Sequence, residues 1–384
     1  MRKTAEIVII GGGIIGVSVA YYLGKMGARN VLLLEKDLIG QGSTGLCAGG
    51  IRRQFTTEVN MHFALKAFEI FQHFEDEFGV DPEFRRVGYL FLATGEEELE
   101  IFKENVEFQN RFGVPSQILS PEEIKEGWPF LNSEDVFGGA FCDTDGYAGP
   151  YEVTGGIARG ARRYGAEILE NTEATSIEVK GGRIVSVTTP GGRVETQIVV
   201  NAAGPYAAKV GKMAGVEVPV TPIRRQLFVT DPFDKIPASL PLTIDQQSNF
   251  YFRREGESVL LSGPQDEEPS FNLTTDFYAM VETAEKATHR VPVFEETNIA
   301  RGWSGLYEIS PDNHAIMGGV PEVEGFYLAN GFSGHGFQHG PAAGMVMAEL
   351  ILNGRPETID IDPLALGRFR EGKMIKERLT AFRD

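Results

Sequence analysis

Cysteine is scarce in this chain. Two cysteines occur among its 384 residues, Cys47 and Cys142, and they form no C-x-x-C pair. This spacing excludes a disulfide framework and a zinc-ribbon type of site, so we predict no metal site. A chain without a disulfide framework is expected in a reducing compartment, and the cytoplasm is the predicted location.

Positive charge is also in short supply. Lys and Arg number 36 against 54 Asp and Glu, which gives a net charge of −18. Nucleic acids and anionic membrane surfaces are bound through Lys/Arg patches, so neither is a predicted partner. A small substrate or a protein partner is expected instead. Against this acidic background the pairs Arg52–Arg53, Arg224–Arg225 and Arg253–Arg254 stand out.

Long uninterrupted hydrophobic runs are absent too. The apolar stretch from Ile7 to Leu23 is broken by the glycines 11–13 and by Gly16, so it fits a strand, a turn and a helix better than a membrane span. The preceding residues MRKTAE lead into no signal-peptide pattern, and no signal peptide is expected.

The first 36 residues instead predict a βαβ unit. An apolar strand over 7–10 leads into Gly11, Gly13 and Gly16, which form G-x-G-x-x-G, and "NVLLLEK" ends the second strand at Glu35. In a dinucleotide-binding turn these glycines permit the tight turn, the approach of a pyrophosphate and close helix packing, while the acid accepts hydrogen bonds from a ribose diol. An acid at this position disfavours NADP, so NAD and FAD remain.

A second glycine-rich loop favours FAD. The stretch "GQGSTGLCAGGIRRQF" (40–55) follows the second strand directly, where a simple NAD domain usually enters its next helix. A loop at this place suits a longer ligand, whose flavin extends beyond the first turn. A flexible surface loop is the alternative.

The rest of the chain predicts two interleaved domains. Short strand patterns such as "IRRQLFVT", "NFYFRR" and "SVLLSG" indicate an antiparallel sheet. The predicted fold class is α/β, with an α+β second domain: a Rossmann-like FAD-binding domain with an interleaved antiparallel-sheet substrate domain. We expect the FAD-binding domain at 1–84, 148–217 and 311–384, and the substrate domain at 85–147 and 218–310.

Near the C-terminus, "NGFSGHGFQHGPAAG" (330–344) precedes the helical pattern "MVMAELIL". Glycines in such numbers let a backbone come close to a ligand, and a helix N-terminus offers free N–H groups and partial positive charge. We therefore expect an electron-rich ligand at a helix that begins near Pro341. Close packing of the helix is the alternative reason for the glycines.

Together these segments resemble the D-amino-acid oxidase/sarcosine oxidase superfamily of FAD enzymes. The likeness is carried by the βαβ unit, "GSTGLCAGGIRRQF", "VVNAAGPYA", "GLYEISPDNHAIMG" and "NGFSGHGFQHGPAAG", over nearly the whole chain. It is strongest to the β subunits of dye-linked L-proline dehydrogenases and heterotetrameric sarcosine oxidases.

The resemblance implies oxidation of a secondary amino acid such as L-proline or sarcosine. A hydride would pass from the α or N-methyl carbon to flavin N5 and leave an imine. The electron acceptor would be a dye, a quinone, a partner flavin or O2. An α subunit or a homo-oligomer, and a second flavin held with a partner subunit, are further implications.

Five candidate catalytic residues follow from the resemblance. Arg52 matches an arginine that binds the substrate carboxylate, a task that suits a guanidinium fork. Tyr307 matches a tyrosine of the substrate pocket, and Tyr251 is expected to face the same space. His335 is expected near the flavin ring, without an assigned proton-transfer role. Gln338 stands where a second carboxylate-binding lysine occurs in monomeric sarcosine oxidases.

The candidate cofactor-binding residues follow from the motifs and the resemblance. They are Gly11, Gly13, Ile14, Ile15, Gly16, Glu35, Lys36, Gly42, Ser43, Thr44, Ala48, Gly49, Gly50, Ile51, Ala174, Ala202, Ala203, Gly204, Gly305, Gly331, Phe332, Ser333, Gly334, His335, Gly336, Phe337 and Gln338.

Two departures from the family pattern bear on the chemistry. Gly305 replaces the cysteine to which monomeric sarcosine oxidases attach FAD, so a non-covalent flavin is expected. Leu261 is aligned with a lysine that helps those oxidases react with oxygen, which favours a dehydrogenase.

Two other functions stay open. One is FAD-dependent oxidation of a 2-hydroxy acid or a glycerol derivative, for which His335 or His339 would be the candidate base. The other is a flavin-binding electron-transfer or assembly subunit.

Overall fold

The computed structural model describes residues 2–266 and 268–377 of the chain. Its strands, in chain order, are β1 (Ile7–Ile10), β2 (Val31–Leu34), β3 (Gly50–Ile51), β4 (Tyr89–Ala93), β5 (Gln117–Leu119), β6 (Gly138–Cys142), β7 (Gly146–Tyr147), β8 (Glu167–Leu169), β9 (Ser176–Lys180), β10 (Arg183–Thr189), β11 (Gly192–Glu195), β12 (Ile198–Asn201), β13 (Thr221–Thr230), β14 (Leu242–Asp245), β15 (Phe250–Glu255), β16 (Ser258–Gln265), β17 (Ile299–Ile309), β18 (Ile316–Gly319) and β19 (Phe326–Asn330).

The α-helices are α1 (Ile14–Lys25), α2 (Glu58–Gln72), α3 (Phe74–Phe78), α4 (Glu96–Arg111), α5 (Pro121–Gly127), α6 (Pro150–Arg163), α7 (Ala207–Met213), α8 (Phe277–Arg290) and α9 (Gly336–Asn353). Within the described ranges, no helix is long and apolar enough to cross a membrane.

The first sheet has the strand order β18-β19-β12-β1-β2-β8. Its strands pair in parallel, apart from the antiparallel pair β18–β19. Strands β1 and β2 are completely buried and consist of Ile, Val and Leu, as expected for a parallel sheet covered on both faces. This arrangement agrees with the predicted Rossmann-like unit.

Helices α1 and α9 pack tightly over this sheet because α9 carries glycines at the contact. A Cβ on Gly344 would lie 2.3 Å from the Cβ of Ser18, and one on Gly340 would lie 2.7 Å from a side-chain carbon of Ile14. Part of the glycine content of 330–344 is therefore explained by helix packing. The expectation that the helix begins near Pro341 is wrong, since α9 begins at Gly336 and contains that proline.

The second sheet has the order β17-β13-β16-β15-β14-β4-β6-β5. Its pairs are antiparallel, apart from the parallel pair β14–β4. Alternation along β15 sends Phe250 and Phe252 into the core beneath α8 and Tyr251 to the opposite face. Leu261 of β16 belongs to the α8 side as well.

The two main sheets draw their strands from different parts of the chain. Strands of the first lie within 7–34, 167–201 and 316–330, and those of the second within 89–142 and 221–309. The domain boundaries 1–84, 148–217 and 311–384, with 85–147 and 218–310, stay a prediction. Residues 1, 267 and 378–384 of those segments lie outside the described residues.

Candidate functional site

The glycine-rich turn after β1 is joined to the end of β2 by a carboxylate. Glu35 Oε2 accepts a 2.6 Å hydrogen bond from the N–H of Gly12, and Oε1 accepts a 2.8 Å bond from the N–H of Asp37. Gly11 has φ +114°, a conformation that favours glycine, and a Cβ on Gly16 would lie 1.9 Å from the carbonyl oxygen of Gly11. The turn therefore depends on glycine for its conformation and for its packing.

The N-terminus of α1 and the second glycine-rich loop meet beside this turn. Thr44 Oγ1 accepts a 3.1 Å hydrogen bond from the N–H of Ile14, the first residue of α1. The hydroxyl of Ser43 donates to the carbonyl oxygen of Leu306 in β17 at 2.6 Å. The loop thus connects the helix N-terminus of the first sheet layer to the second sheet.

A cavity lies between these elements. Its empty volume, including the open mouth, is about 1760 Å³. The predicted site residues that line it are Gly11, Gly13, Ile14, Ile15, Glu35, Lys36, Gly42, Ser43, Thr44, Ala48, Ala174, Ala202, Ala203, Gly204, Tyr251, Gly305, Tyr307, Gly334, Gly336 and Phe337. Residues as far apart in sequence as Gly11 and Phe337 therefore face one space.

The other predicted site residues lie outside the cavity lining. They are Gly16, Gly49, Gly50, Ile51, Arg52, Gly331, Phe332, Ser333, His335 and Gln338. Two of them make structural contacts within the protein. Gly49, with φ +71°, packs against the carbonyl oxygen of Ala148, and Ser333 Oγ accepts a hydrogen bond from the N–H of Ser310 at 3.1 Å. Their proposed roles toward a ligand stay predictions.

Arg52, His335 and Gln338 form a buried cluster. The backbone N–H of Arg52 donates to Gln338 Oε1 at 2.9 Å, and the guanidinium lies 3.3 Å from His335 Nε2. The same guanidinium stacks 4.0 Å from the ring centroid of Phe55. Burial, and then the charge of Arg52, lower the pKa of His335 well below its usual value. The same two causes lower the pKa of His339 to about 3, so both imidazoles are neutral.

One end of the cavity is walled by two tyrosines and an arginine. Tyr251 and Tyr307 face it from β15 and β17, and the Cζ atom of Arg225 lies 5.5 and 5.7 Å from their ring centroids. Burial raises the pKa of both phenols, which therefore stay protonated. Arg225 was missed as a site residue, although its arginine pair stands out in the acidic sequence.

Glu308 is a second residue that the sequence reasoning missed. It lines the cavity beside Gly204 and Gly336, and its Oε2 accepts a 3.2 Å hydrogen bond from the N–H of Gly331. Burial raises the pKa of this carboxyl to about 7. A single glutamate within a strand pattern gives no sequence signal for such a position.

Comparison with known proteins identifies the family. The family described as DAO, FAD dependent oxidoreductase, matches residues 6–350. The chain belongs to this family. The family is one of FAD-dependent oxidoreductases, so FAD as the predicted cofactor is confirmed.

Two curated relatives are 30% and 32% identical to the chain over the aligned residues. Sarcosine dehydrogenase of Mus musculus is 30% identical over 373 residues, which cover 93% of this chain and 40% of that protein. Dimethylglycine dehydrogenase of Rattus norvegicus is 32% identical over 394 residues, which cover 96% and 45%. The chain thus spans less than half the length of these two relatives.

A solved structure confirms the predicted fold class over 98% of the chain. L-proline dehydrogenase from P. horikoshii superimposes with a TM-score of 0.92 and 35% identity, over 98% of this chain and 100% of that one. The predicted resemblance to the D-amino-acid oxidase/sarcosine oxidase superfamily, and within it to L-proline dehydrogenase, is confirmed by these comparisons.

The cavity fits the cofactor of this family. Glu35 offers a carboxylate to a ribose diol, the N-terminus of α1 offers N–H groups to a pyrophosphate, and a Cβ on Gly13 would meet only the Thr44 hydroxyl at 3.1 Å. The start of α9 at Gly336 also lines the cavity. Among the described residues, no group of three or more His, Cys, Asp or Glu side chains could hold a metal ion.

The expectation that Leu261 lies beside the flavin is wrong. The Leu261 side chain is 2% exposed and packs in the core beneath α8. In the sheet Leu261 pairs with Phe228 of β13 and with Phe252 of β15, and it does not line the cavity. Strand alternation sends its neighbours, rather than Leu261, toward the other face. The residue therefore carries no information about the electron acceptor.

Proposed function

We propose that this protein oxidises a secondary or N-methyl amino acid, such as L-proline, sarcosine or N,N-dimethylglycine, to the corresponding iminium or imine. Support comes from the names of the relatives, two of which act on sarcosine and dimethylglycine and one on L-proline. FAD bound in the cavity supplies a hydride acceptor. The residues of this chain bind and orient both reactants.

The site residues divide between the two reactants. The glycine turn, Glu35, Thr44 and the first residues of α9 hold the dinucleotide and exclude water from it. Tyr251 and Tyr307 wall the end that receives the amino acid, and their protonated phenols can donate hydrogen bonds. Holding the reacting carbon in one orientation is the main task of such a wall.

The protonation of the cluster near the tyrosines favours an amine over an alcohol. A neutral amine has a lone pair that assists loss of hydride, whereas an alcohol needs a base to take its proton. His335 and His339 are neutral with strongly lowered pKa values and are therefore weak bases. Glu308 lines the cavity at a different place from Tyr307, beside Gly204 and Gly336, because successive strand residues face opposite ways. Both imidazoles also lie outside the cavity lining, and this placement, together with their lowered pKa values, is the observation that carries the proposal.

The test is an anaerobic visible spectrum of the FAD-loaded protein. We expect the oxidised-flavin band at ~450 nm to bleach on addition of L-proline, sarcosine or N,N-dimethylglycine. The band should persist with L-lactate or glycerol 3-phosphate. Bleaching by a hydroxy acid and by none of the amines would reject the proposal in favour of an alcohol dehydrogenase. The rate at which colour returns in air then measures oxygen as an acceptor.

A second cavity supports a separate acceptor site. It shares Leu46 and Cys47 with the first cavity, and arginines 85, 253, 254 and 301 line it together with Glu83, Glu152 and Glu255. We propose that an anionic or quinoid electron acceptor, a flavin held with a partner subunit included, docks there. Arg301→Glu should slow reoxidation of the reduced protein by an anionic quinoid dye and leave bleaching by substrate unchanged. Arg183→Glu is the control, because Arg183 lies in β10 outside this cavity and forms an exposed ion pair with Glu324. Equal reoxidation rates in all three proteins would reject this site.

A further inference from the structure

Arg225 occupies an unusual position for a charged side chain. It lies in the middle of β13, between Gly305 of β17 and Gln265 of β16, and is 2% exposed. Its side chain nevertheless lines the cavity, at the end walled by Tyr251 and Tyr307. A guanidinium keeps its charge when buried, so it makes this end of the cavity electropositive.

The guanidinium is held in place by oxygen atoms of neutral groups. Nη1 donates to Gln265 Oε1 at 3.2 Å, and Nη2 donates to Asn249 Oδ1 at 3.1 Å. A side-chain hydrogen bond with Tyr251 adds a third contact. These contacts fix the orientation of the fork, which is a condition for recognising a planar anion.

The other cations of the cavity wall lie elsewhere. Among the described lining residues the cationic side chains are Lys36, Lys209 and Arg225. Both lysines stack on Tyr206, with Nζ atoms 4.4 and 5.1 Å from its ring centroid, on the side of the cavity where Glu35 lies. Among the described residues that line the cavity, Arg225 is therefore the cation at the end walled by Tyr251 and Tyr307.

Arg52, the carboxylate partner expected from the resemblance, has a different environment. Its guanidinium lies outside the cavity lining and donates to the carbonyl oxygen of Gln54. Its Cζ lies 4.0 Å from the ring centroid of Phe55 and 5.6 Å from that of Phe91. Arg52 therefore lies behind the cavity wall, whereas Arg225 is part of the wall.

We propose that Arg225, rather than Arg52, receives the substrate carboxylate, with the phenols of Tyr251 and Tyr307 as neighbouring donors. The carboxylate would accept charge-assisted hydrogen bonds from the guanidinium while the amine faces the flavin. The inference rests on the proposed function, because it takes the substrate to be an amino acid. It makes Arg225 the residue that selects amino acids over simple amines.

The experiment measures carboxylate binding without turnover. Tetrahydrofuran-2-carboxylate keeps the ring and carboxylate of proline but has no amine to oxidise, and tetrahydrofurfuryl alcohol replaces its carboxylate with a hydroxymethyl group. Each is titrated into the FAD-loaded protein, and the Kd is read from the perturbation of the flavin spectrum. The ratio of the two Kd values reports recognition of the carboxylate alone.

We expect Arg225→Gln to weaken the carboxylate ligand by about 10- to 100-fold and to leave the alcohol nearly unchanged, as for loss of a charge-assisted hydrogen bond. Arg224→Gln is the matched control, because the adjacent residue forms an ion pair with Asp266 outside the cavity lining. It should keep the wild-type ratio, and Arg52→Gln should keep it as well. Loss of the ratio in Arg52→Gln, with retention in Arg225→Gln, would overturn the proposal.

Loss of FAD by the variant and failure of the proposed function give different results. If Arg225→Gln does not retain FAD, Arg225→Lys is tested in its place. A severalfold drop in the preference for the carboxylate ligand then supports recognition by the Arg225 guanidinium, and an unchanged preference rejects it. If no amino acid bleaches the wild-type flavin, the proposed function fails. The carboxylate titration still reports on Arg225 in that case, because it requires no oxidation.

Discussion

The backbone N–H of Gly12 donates a 2.6 Å hydrogen bond to the carboxylate of Glu35, and this bond joins the glycine turn to the end of β2. Both carboxylate oxygens already accept one backbone N–H each. An ionised carboxylate has about four acceptor sites, so Glu35 can also accept from a ribose hydroxyl. The same side chain therefore shapes the turn and binds the ligand that the turn receives.

Glu35→Ala should weaken FAD binding by about 10- to 100-fold, because hydrogen bonds to a charged acceptor are worth about 1.5–3 kcal/mol. The Kd is measured by fluorescence titration of the FAD-free protein. Glu170→Ala is the control: Glu170 also accepts a backbone N–H, from Ile39 at 2.8 Å, but does not line the cavity. Equal losses of affinity in both variants would contradict the role of Glu35.

Two neighbouring glycines should respond differently to alanine. A Cβ on Gly12 would lie 2.5 Å from Ile39 Cδ1 and 2.9 Å from Glu35 Cβ, so Gly12→Ala should destabilise the FAD-free protein by about 1–3 kcal/mol. A Cβ on Gly13 meets only the Thr44 hydroxyl, so Gly13→Ala should fold normally and bind FAD less tightly. Denaturant unfolding and FAD titration separate the two effects. If both variants lost stability and FAD affinity to the same extent, the separate roles of Gly12 in packing and Gly13 in FAD binding would be contradicted.

Local patterns predicted the first βαβ unit well. The apolar run over 7–10, the spaced glycines and Glu35 depend on residues close in sequence, whose geometry is set by the chain itself. The second sheet was predicted as antiparallel from its alternating strands, but its parallel pair β14–β4 joins segments about 150 residues apart. Such pairing depends on tertiary packing rather than on strand pattern.

The errors at the site have similar causes. The apolar pattern MVMAELIL predicts a helix that begins near Pro341, yet α9 begins at Gly336, in the glycine-rich segment that packs against α1. Leu261 was aligned with a residue on the flavin side, although one step along a strand reverses the face. Arg225 and Glu308 line the cavity through long-range strand pairing, which no short motif records.

The flavin should be released on denaturation. Gly305 offers no thiol, and its α-carbon packs against Leu46, so a Cβ there would lie 3.1 Å from the Leu46 Cβ. Cys47 lines the cavity, but burial raises the pKa of its thiol to about 11, which keeps it protonated and unreactive.

Acid precipitation of the FAD-loaded protein is the measurement for this prediction. Yellow colour should appear in the supernatant, and Cys47→Ser should behave in the same way. Colour that stays with the precipitate of the wild type, and leaves it in Cys47→Ser, would instead demonstrate attachment through Cys47.

Glu308 should make the stability of the FAD-free protein depend on pH. Burial raises the pKa of its carboxyl from 4.5 in the unfolded chain to about 7 in the folded one. The folded state therefore binds the proton more tightly, and the resulting stability is complete below pH 4.5 and is lost as the pH rises through 7. Since the side chain is partly open to the cavity, we expect a loss of about 1–3 kcal/mol rather than the full value of the shift.

The measurement is the free energy of unfolding of the wild type and of Glu308→Gln at pH 5 and pH 8. The glutamine cannot titrate, so the wild type should lose stability relative to this variant between the two values. Glu322→Gln is the control: the pKa of exposed Glu322 is lowered by Arg370, so this carboxyl titrates below the tested range. The difference between wild type and Glu322→Gln should stay constant from pH 5 to pH 8. If the difference between wild type and Glu308→Gln is constant as well, Glu308 is not protonated in the folded protein near neutral pH.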